Sequence, residues 1–160
     1  MIFGITGHQE RPGIDWVWVR CAVDEEIARH KKPIEGLSSL AKGADQVFAE
    51  AILAAGGSLV AIIPIFDYEK YFEADHLTKY KKLLSKSKVI YTKSDGDDED
   101  AFLKAGIYIA DHCDILIAVW DGKAAEGKGG TGDVVNHALE NRKSFVHIDP
   151  FQRRVIRTHG

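Results

Sequence analysis

The chain is poor in the residues that build the most easily recognised sites. Its 160 residues include two cysteines, four prolines and one methionine. Cys21 and Cys113 form no Cys-x-x-Cys pair and have no His/Cys cluster beside them. That argues against a disulfide framework or a zinc site, and two buried thiols in a reducing compartment is the expectation. No window approaches the roughly 18 apolar residues of a membrane span. The opening stretch MIFGITGHQERPGID lacks a basic n-region and a long apolar run, so it does not read as a signal peptide. A cytoplasmic protein is expected. Positive charge is not in excess either: 21 Lys and Arg stand against 24 Asp and Glu, a net charge of −3 with neutral histidines. Duplex nucleic acid is therefore not the expected partner. The Walker pattern Gly-x-x-x-x-Gly-Lys-Ser/Thr is absent, and the first loop does not give Gly-x-Gly-x-x-Gly, which counts against an ordinary NAD dehydrogenase.

What is present is a hydrophobic fraction of 45%, ample for one buried core in a chain of this length. Short apolar runs alternate with amphipathic segments. Ile2 to Thr6 reads as a strand closed by the turn residues Gly7-His8 and Pro12-Gly13. Asp15 is a good N-cap for a helix with Trp16, Val19, Val23 and Ile27 at helical spacing. A short strand at Ile34 to Ser38 precedes a helix from Gly43 to Ala55, ended by Gly56-Gly57. Ser58 to Ile63 is a continuous apolar run stopped by Pro64, the mark of a strand covered on both faces. A helix over 76–87 and a strand at Lys88 to Tyr91 follow. The acidic run Ser94 to Asp100 lacks the ligand spacing of a calcium loop and reads as a solvated lead into a helix over 100–112. Asp114 to Trp120 is the most obvious central strand, followed by a glycine-rich loop, a helix from Thr131 to Asn141 and a strand at Phe145 to Ile148.

This alternation predicts an α/β fold: a single Rossmann-like, doubly wound, mostly parallel sheet with helices on both faces. One domain is expected over residues 1–150, with 151–160 as a poorly ordered C-terminal tail.

In such a sheet ligands bind beyond the carboxyl ends of the strands, and three loops there are distinctive. The first, from Gly4 to Gln9, offers backbone amides at Gly7 and side-chain donors at Thr6 and His8. A tight turn that needs glycine explains the same pattern. The second brings Ser38, Ser39, Lys42, Gly43 and Asp45 to the start of a helix, a plausible phosphate seat in which Asp45 reads equally as a helix-start charge. The third runs from Asp121-Gly122 through Gly127, Lys128, Gly129 and Gly130 to Thr131, Gly132 and Asp133. Four glycines in six residues before a helix cost conformational entropy, while the helix start supplies partial positive charge and amides. Phosphate binding is the favoured reading of this third loop over a plain surface loop. No metal site is predicted.

Taken in order, Thr6-Gly7-His8, the stretch Gly36 to Asp45, and Gly129-Gly130-Thr131 after a strand ending in Trp120-Asp121-Gly122 resemble the SLOG superfamily. This superfamily groups the DNA-processing protein DprA, the LOG phosphoribohydrolases and YpsA-like proteins. The resemblance covers residues 2–149. It implies a Rossmann-like fold that binds nucleotides or nucleotide-derived ligands, and a homo-oligomer. LOG enzymes cleave the N-glycosidic bond of nucleoside monophosphates with a PGGxGTxxE motif whose glutamate is catalytic. Here the proline is missing, and the family spacing puts Val134 where that glutamate belongs, with Asp133 one residue earlier. YpsA-like members often carry an arginine after the first-loop histidine, where this chain has Gln9.

The expected function is therefore binding of a nucleotide or nucleotide derivative, a nucleoside phosphate or ADP-ribose-like molecule, as a sensor or carrier with no other cofactor. The alternative is LOG-like hydrolysis, with Asp133 as the first candidate carboxylate and Asp121 and Asp45 behind it. Each of these aspartates also makes sense as a helix cap or turn former. A single-stranded nucleic-acid binder that stacks bases on Trp16, Trp18 and Trp120 is a third reading; core packing accounts for at least two of the three.

Overall fold

The computed structural model describes residues 1–124 and 130–160. Strands β1 (Ile2–Gly7), β2 (Glu35–Ser38), β3 (Ser58–Ile63), β4 (Lys88–Tyr91), β5 (Ile115–Val119), β6 (Ser144–Asp149) and β7 (Arg154–Thr158) form one sheet in the order β4-β3-β2-β1-β5-β6-β7. The first six run parallel, and β7 pairs antiparallel with β6. Helices α1 (Trp16–Ala28), α2 (Ala44–Ala54) and α3 (Ala74–Leu84) cover one face, while α4 (Asp98–His112) and α5 (Thr131–Glu140) cover the other. This is the doubly wound α/β architecture that the alternating pattern predicts.

The hydrophobic spacing explains which side each helix buries. In α1, Val19, Val23 and Ile27 are buried, and Asp15 caps the helix by accepting the Trp18 amide. Trp16 and Trp18 lean partly buried against the same core. In β3, Leu59 to Ile63 are all buried because helices lie on both of its faces. The acidic run ends as a capping box: Asp97 accepts the Asp100 amide while the Asp100 carboxylate accepts that of Asp97.

Two expectations need correction. The C-terminal segment is not a loose tail, because Arg154–Thr158 adds a seventh strand in register with β6. Its charged, mostly exposed residues suit a sheet edge, where a continuous apolar run is not required. The thiols are not both buried: Cys113 is, between α4 and β1, but Cys21 lies on the exposed side of α1. Burial pushes the Cys113 thiol up to about 11. Among the described residues no helix is long and apolar enough to cross a membrane.

The winding reverses between β1 and β5, which sit side by side although α1 to α4 separate them in sequence. Reversal opens a crevice beyond their carboxyl ends, the usual ligand position in open parallel sheets.

Candidate functional site

A cavity of about 440 Å³ occupies that crevice. Small-molecule sites run from roughly 300 to 1,000 Å³. Its wall takes Thr6, Gly7 and His8 from the end of β1, Ser39 and Lys42 from the β2–α2 loop, and Asp45 from the first turn of α2. Asp121 from the end of β5 completes it with Gly130, Thr131 and Gly132 at the start of α5.

The loops approach closely because two glycines allow it. A Cβ on Gly7 would stand 2.6 Å from the Ala44 Cβ and 2.9 Å from the Val119 carbonyl oxygen. Gly43 has φ of 89° and would press a Cβ to 2.7 Å from the His8 carbonyl oxygen, which already accepts the Ala44 amide at 3.1 Å. Gly43 is thus the N-cap of α2 and the seat of the first loop, set back from the cavity wall.

Ser38 also works from behind. It is fully buried at the end of β2, and its Oγ accepts the Leu40 amide at 3.0 Å. Leu40 is itself fully buried with φ of 59°, a left-handed conformation that leucine rarely adopts. Its carbonyl accepts Gln46 Nε2 at 3.2 Å. Buried side chains therefore hold both polar groups of this strained residue, and Ser39 and Ala41 on either side line the cavity.

Across the switch point, His8, Arg11 and Asp121 form one cluster. His8 Nε2 accepts the Asp121 amide at 3.1 Å, and Arg11 lies 3.3 Å from the same nitrogen and 3.2 Å from Asp121 Oδ2. An accepting Nε2 places the proton of the neutral ring on Nδ1. Burial and then the Arg11 charge lower the His8 pKa, against the pull of Asp121. For Asp121, burial pushes its carboxyl up, but the Lys123 amide, His8 and Arg11 outweigh this and leave it below the ordinary value. Gly122, with φ of 83°, makes the turn that follows and stays off the wall.

Asp45 is of another kind. It lies in the first turn of α2, 8% exposed, and burial raises its pKa to about 7 despite backbone amides of Ala41 and Ser39 directed at it.

At α5, Gly130 is the N-cap and Thr131 and Gly132 open the helix towards the cavity. Gly129, with Gly127 and Lys128, falls outside the described residues. Asp133 is half-buried in the same first turn, where the cavity face is made by Gly130, Thr131, Gly132 and Val134. Val134 is buried against α4, where a Cβ on Gly106 would meet its Cγ2 at 2.6 Å.

The sequence reading missed the aromatic part of the wall, made of Tyr68, Tyr71, Phe72 and Phe102. The first three belong to the segment after β3, around a short 3-10 turn at Tyr68–Tyr71. Tyr71 meets Phe102 edge-on with centroids 5.1 Å apart, and Tyr68 meets Phe72 likewise at 5.0 Å. The Tyr71 hydroxyl donates to Asp98, which Lys70 also pairs at 3.1 Å, tying this segment to α4. Its signal lay in the aromatic-rich stretch after Pro64, to which the rule for loops after strands applies equally. Arg11 was missed as well, two residues beyond the position where YpsA-like chains carry an arginine.

The fold has solved counterparts. DNA processing protein A (DprA) from Streptococcus pneumoniae superposes with a TM-score of 0.61 at 20% identity, over 92% of this chain and 50% of that one. DprA from Helicobacter pylori, described for its single-stranded DNA binding mode, gives 0.62 at 14% identity over 93% and 65%. The chain shares the Rossmann-like fold of these proteins. The molybdenum cofactor carrier protein from Chlamydomonas reinhardtii shares this fold with a TM-score of 0.54 and 20% identity, over 91% of this chain and 74% of that one. The chain spans half the length of the Streptococcus DprA. No family model and no curated protein matches the sequence. At these identities the likeness is one of fold.

Proposed function

We propose that this SLOG-fold chain binds a nucleotide or nucleotide derivative, a nucleoside phosphate or ADP-ribose-like molecule, and serves as a sensor or carrier of it. The carrying observation is the convergence of the three loops on one cavity at the topological switch point. Thr131 and Gly132 at the start of α5 line it, a setting that favours an anion. Aromatic rings that favour a base line it as well. A nucleotide has both.

Hydrolysis of the N-glycosidic bond is not part of this reading. Val134 occupies the position where the LOG motif has its glutamate, and it is committed to packing against Gly106. Binding without turnover is the function proposed.

Thermal-shift measurements against AMP, ADP-ribose, NAD and cyclic nucleotides test it. A ligand that binds only the folded chain at 100 times its Kd stabilises by about 2.7 kcal/mol, so at least one compound raises the melting temperature by several degrees. No response across the panel at millimolar ligand would contradict the proposal.

A further inference from the structure

The order of strands sorts the chemistry of the cavity into a sequence. Three of the aromatic rings, Tyr68, Tyr71 and Phe72, come from the segment after β3, the Asp45 carboxyl from the first turn of α2, which follows β2, and Gly7 and Arg11 from the end of β1 and the loop beyond it. Thr131 comes from the loop after β5. These four strands are neighbours in that order, so β2, which leads to Asp45, lies between the strand that leads to Tyr68, Tyr71 and Phe72 and the strand that leads to Thr131. Packing agrees: Ala44, next to Asp45, touches the Gly7 end, and Tyr68 leads into the aromatic side.

Asp45 is more than nine-tenths buried and lines the cavity, yet only backbone donors hold it. Ala41 donates to Oδ2 at 3.3 Å, and the Ser39 amide is the other. A carboxylate offers about four acceptor positions, so acceptor capacity remains. Tyr68 faces it from the segment after β3, with Tyr80 of α3 behind that ring. From the β1 side come His8 and Arg11, which are engaged with Asp121. Lys42 lines the same wall. Among the described residues none of these cations forms an ion pair with Asp45.

Resting on the nucleotide reading above, we propose that Asp45 selects the sugar: its carboxylate accepts the hydroxyl hydrogens of a ribose cis-diol, so the ligand is a ribonucleotide derivative. In doubly wound sheets an acid reached from the second strand is well placed for this, with phosphate over the first loop and a helix start. Hydroxyl donors favour the ionised carboxylate, so binding tightens as pH rises towards 7, and below it weakens by up to about tenfold per pH unit.

The test is calorimetric titration of the full chain with AMP and GMP and with their 2′,3′-dideoxy counterparts at pH 6, 7 and 8. At pH 8 the ribonucleotide binds about tenfold or more tighter than its dideoxy form, and the margin narrows at pH 6. The Asp45→Asn chain binds both forms alike, and the ratio of the two affinities does not change between pH 6 and 8. Equal affinity of the unsubstituted chain for ribo and dideoxy forms at pH 8 overturns the Asp45 assignment and leaves the nucleotide reading intact. No binding of any of the four overturns both.

Discussion

Replacing Asp45 by asparagine is expected to stabilise the chain above neutral pH and to leave it nearly unchanged in acid. Burial raises this carboxyl from its ordinary 3.8 to about 7. Between those two values the unfolded chain has lost the proton that the folded chain still holds. The folded state therefore binds more protons, and stability falls as pH rises through this window. At about 1.4 kcal/mol per pH unit the loss reaches on the order of 4 kcal/mol above pH 7. Asparagine has the same shape, keeps an oxygen for the Ala41 amide and never ionises. Urea unfolding of both chains at pH 4, 5.5 and 8 reads the difference directly, since groups that titrate alike in both cancel. The gap is expected to be near zero at pH 4, to grow through pH 5.5 and to level off above pH 7. For a chain of this size each kcal/mol moves the melting temperature by about 2–4 °C, so the asparagine chain melts on the order of 10 °C higher at pH 8. Asparagine equal to or less stable than aspartate at pH 8 would show that partners, not desolvation, govern this carboxyl. A destabilised acid kept on the wall of a cavity is the kind of compromise that binding sites make with stability.

Ser38→Ala removes the acceptor of the buried Leu40 amide and is expected to cost about 1–3 kcal/mol in urea unfolding, with the denaturant slope unchanged. Gly43→Ala forces a side chain onto φ of 89° and the His8 carbonyl, at about 1–3 kcal/mol, and loosens the first loop enough to weaken AMP binding in the same calorimetric assay. Arg11→Ala removes a positive charge that lowers the His8 pKa, so the histidine titrates at higher pH, read by NMR of the ring protons. Millimolar nucleoside monophosphates incubated with the chain are expected to release no free base by chromatography, and Asp133→Asn to change nothing; base release that Asp133→Asn abolishes would restore the hydrolase reading.

Much of the fold was legible because its rules act locally. Helical spacing in α1 and the unbroken apolar run of β3 declare their environments without tertiary information. Strand β7 was not legible, since an edge strand needs no apolar run and Arg154–Thr158 has the polarity of a tail. For the site, glycine and hydroxyl residues marked which loops matter but not what each residue does there. Ser38 and Asp45 look alike in sequence as polar loop residues. One braces a left-handed leucine from behind and the other faces the cavity, and only the chain path distinguishes them. The aromatic wall depends on the segment after β3 folding back towards α4 through Tyr71 and Asp98, a contact between residues far apart in sequence.

The most direct measurement is a crystal structure of the chain soaked with AMP. Phosphate is expected within hydrogen-bonding reach of Thr131 at the start of α5, and the base beside Tyr71 and Phe102. Nucleotide bound elsewhere, or an empty cavity at millimolar AMP and ADP-ribose, would contradict this placement.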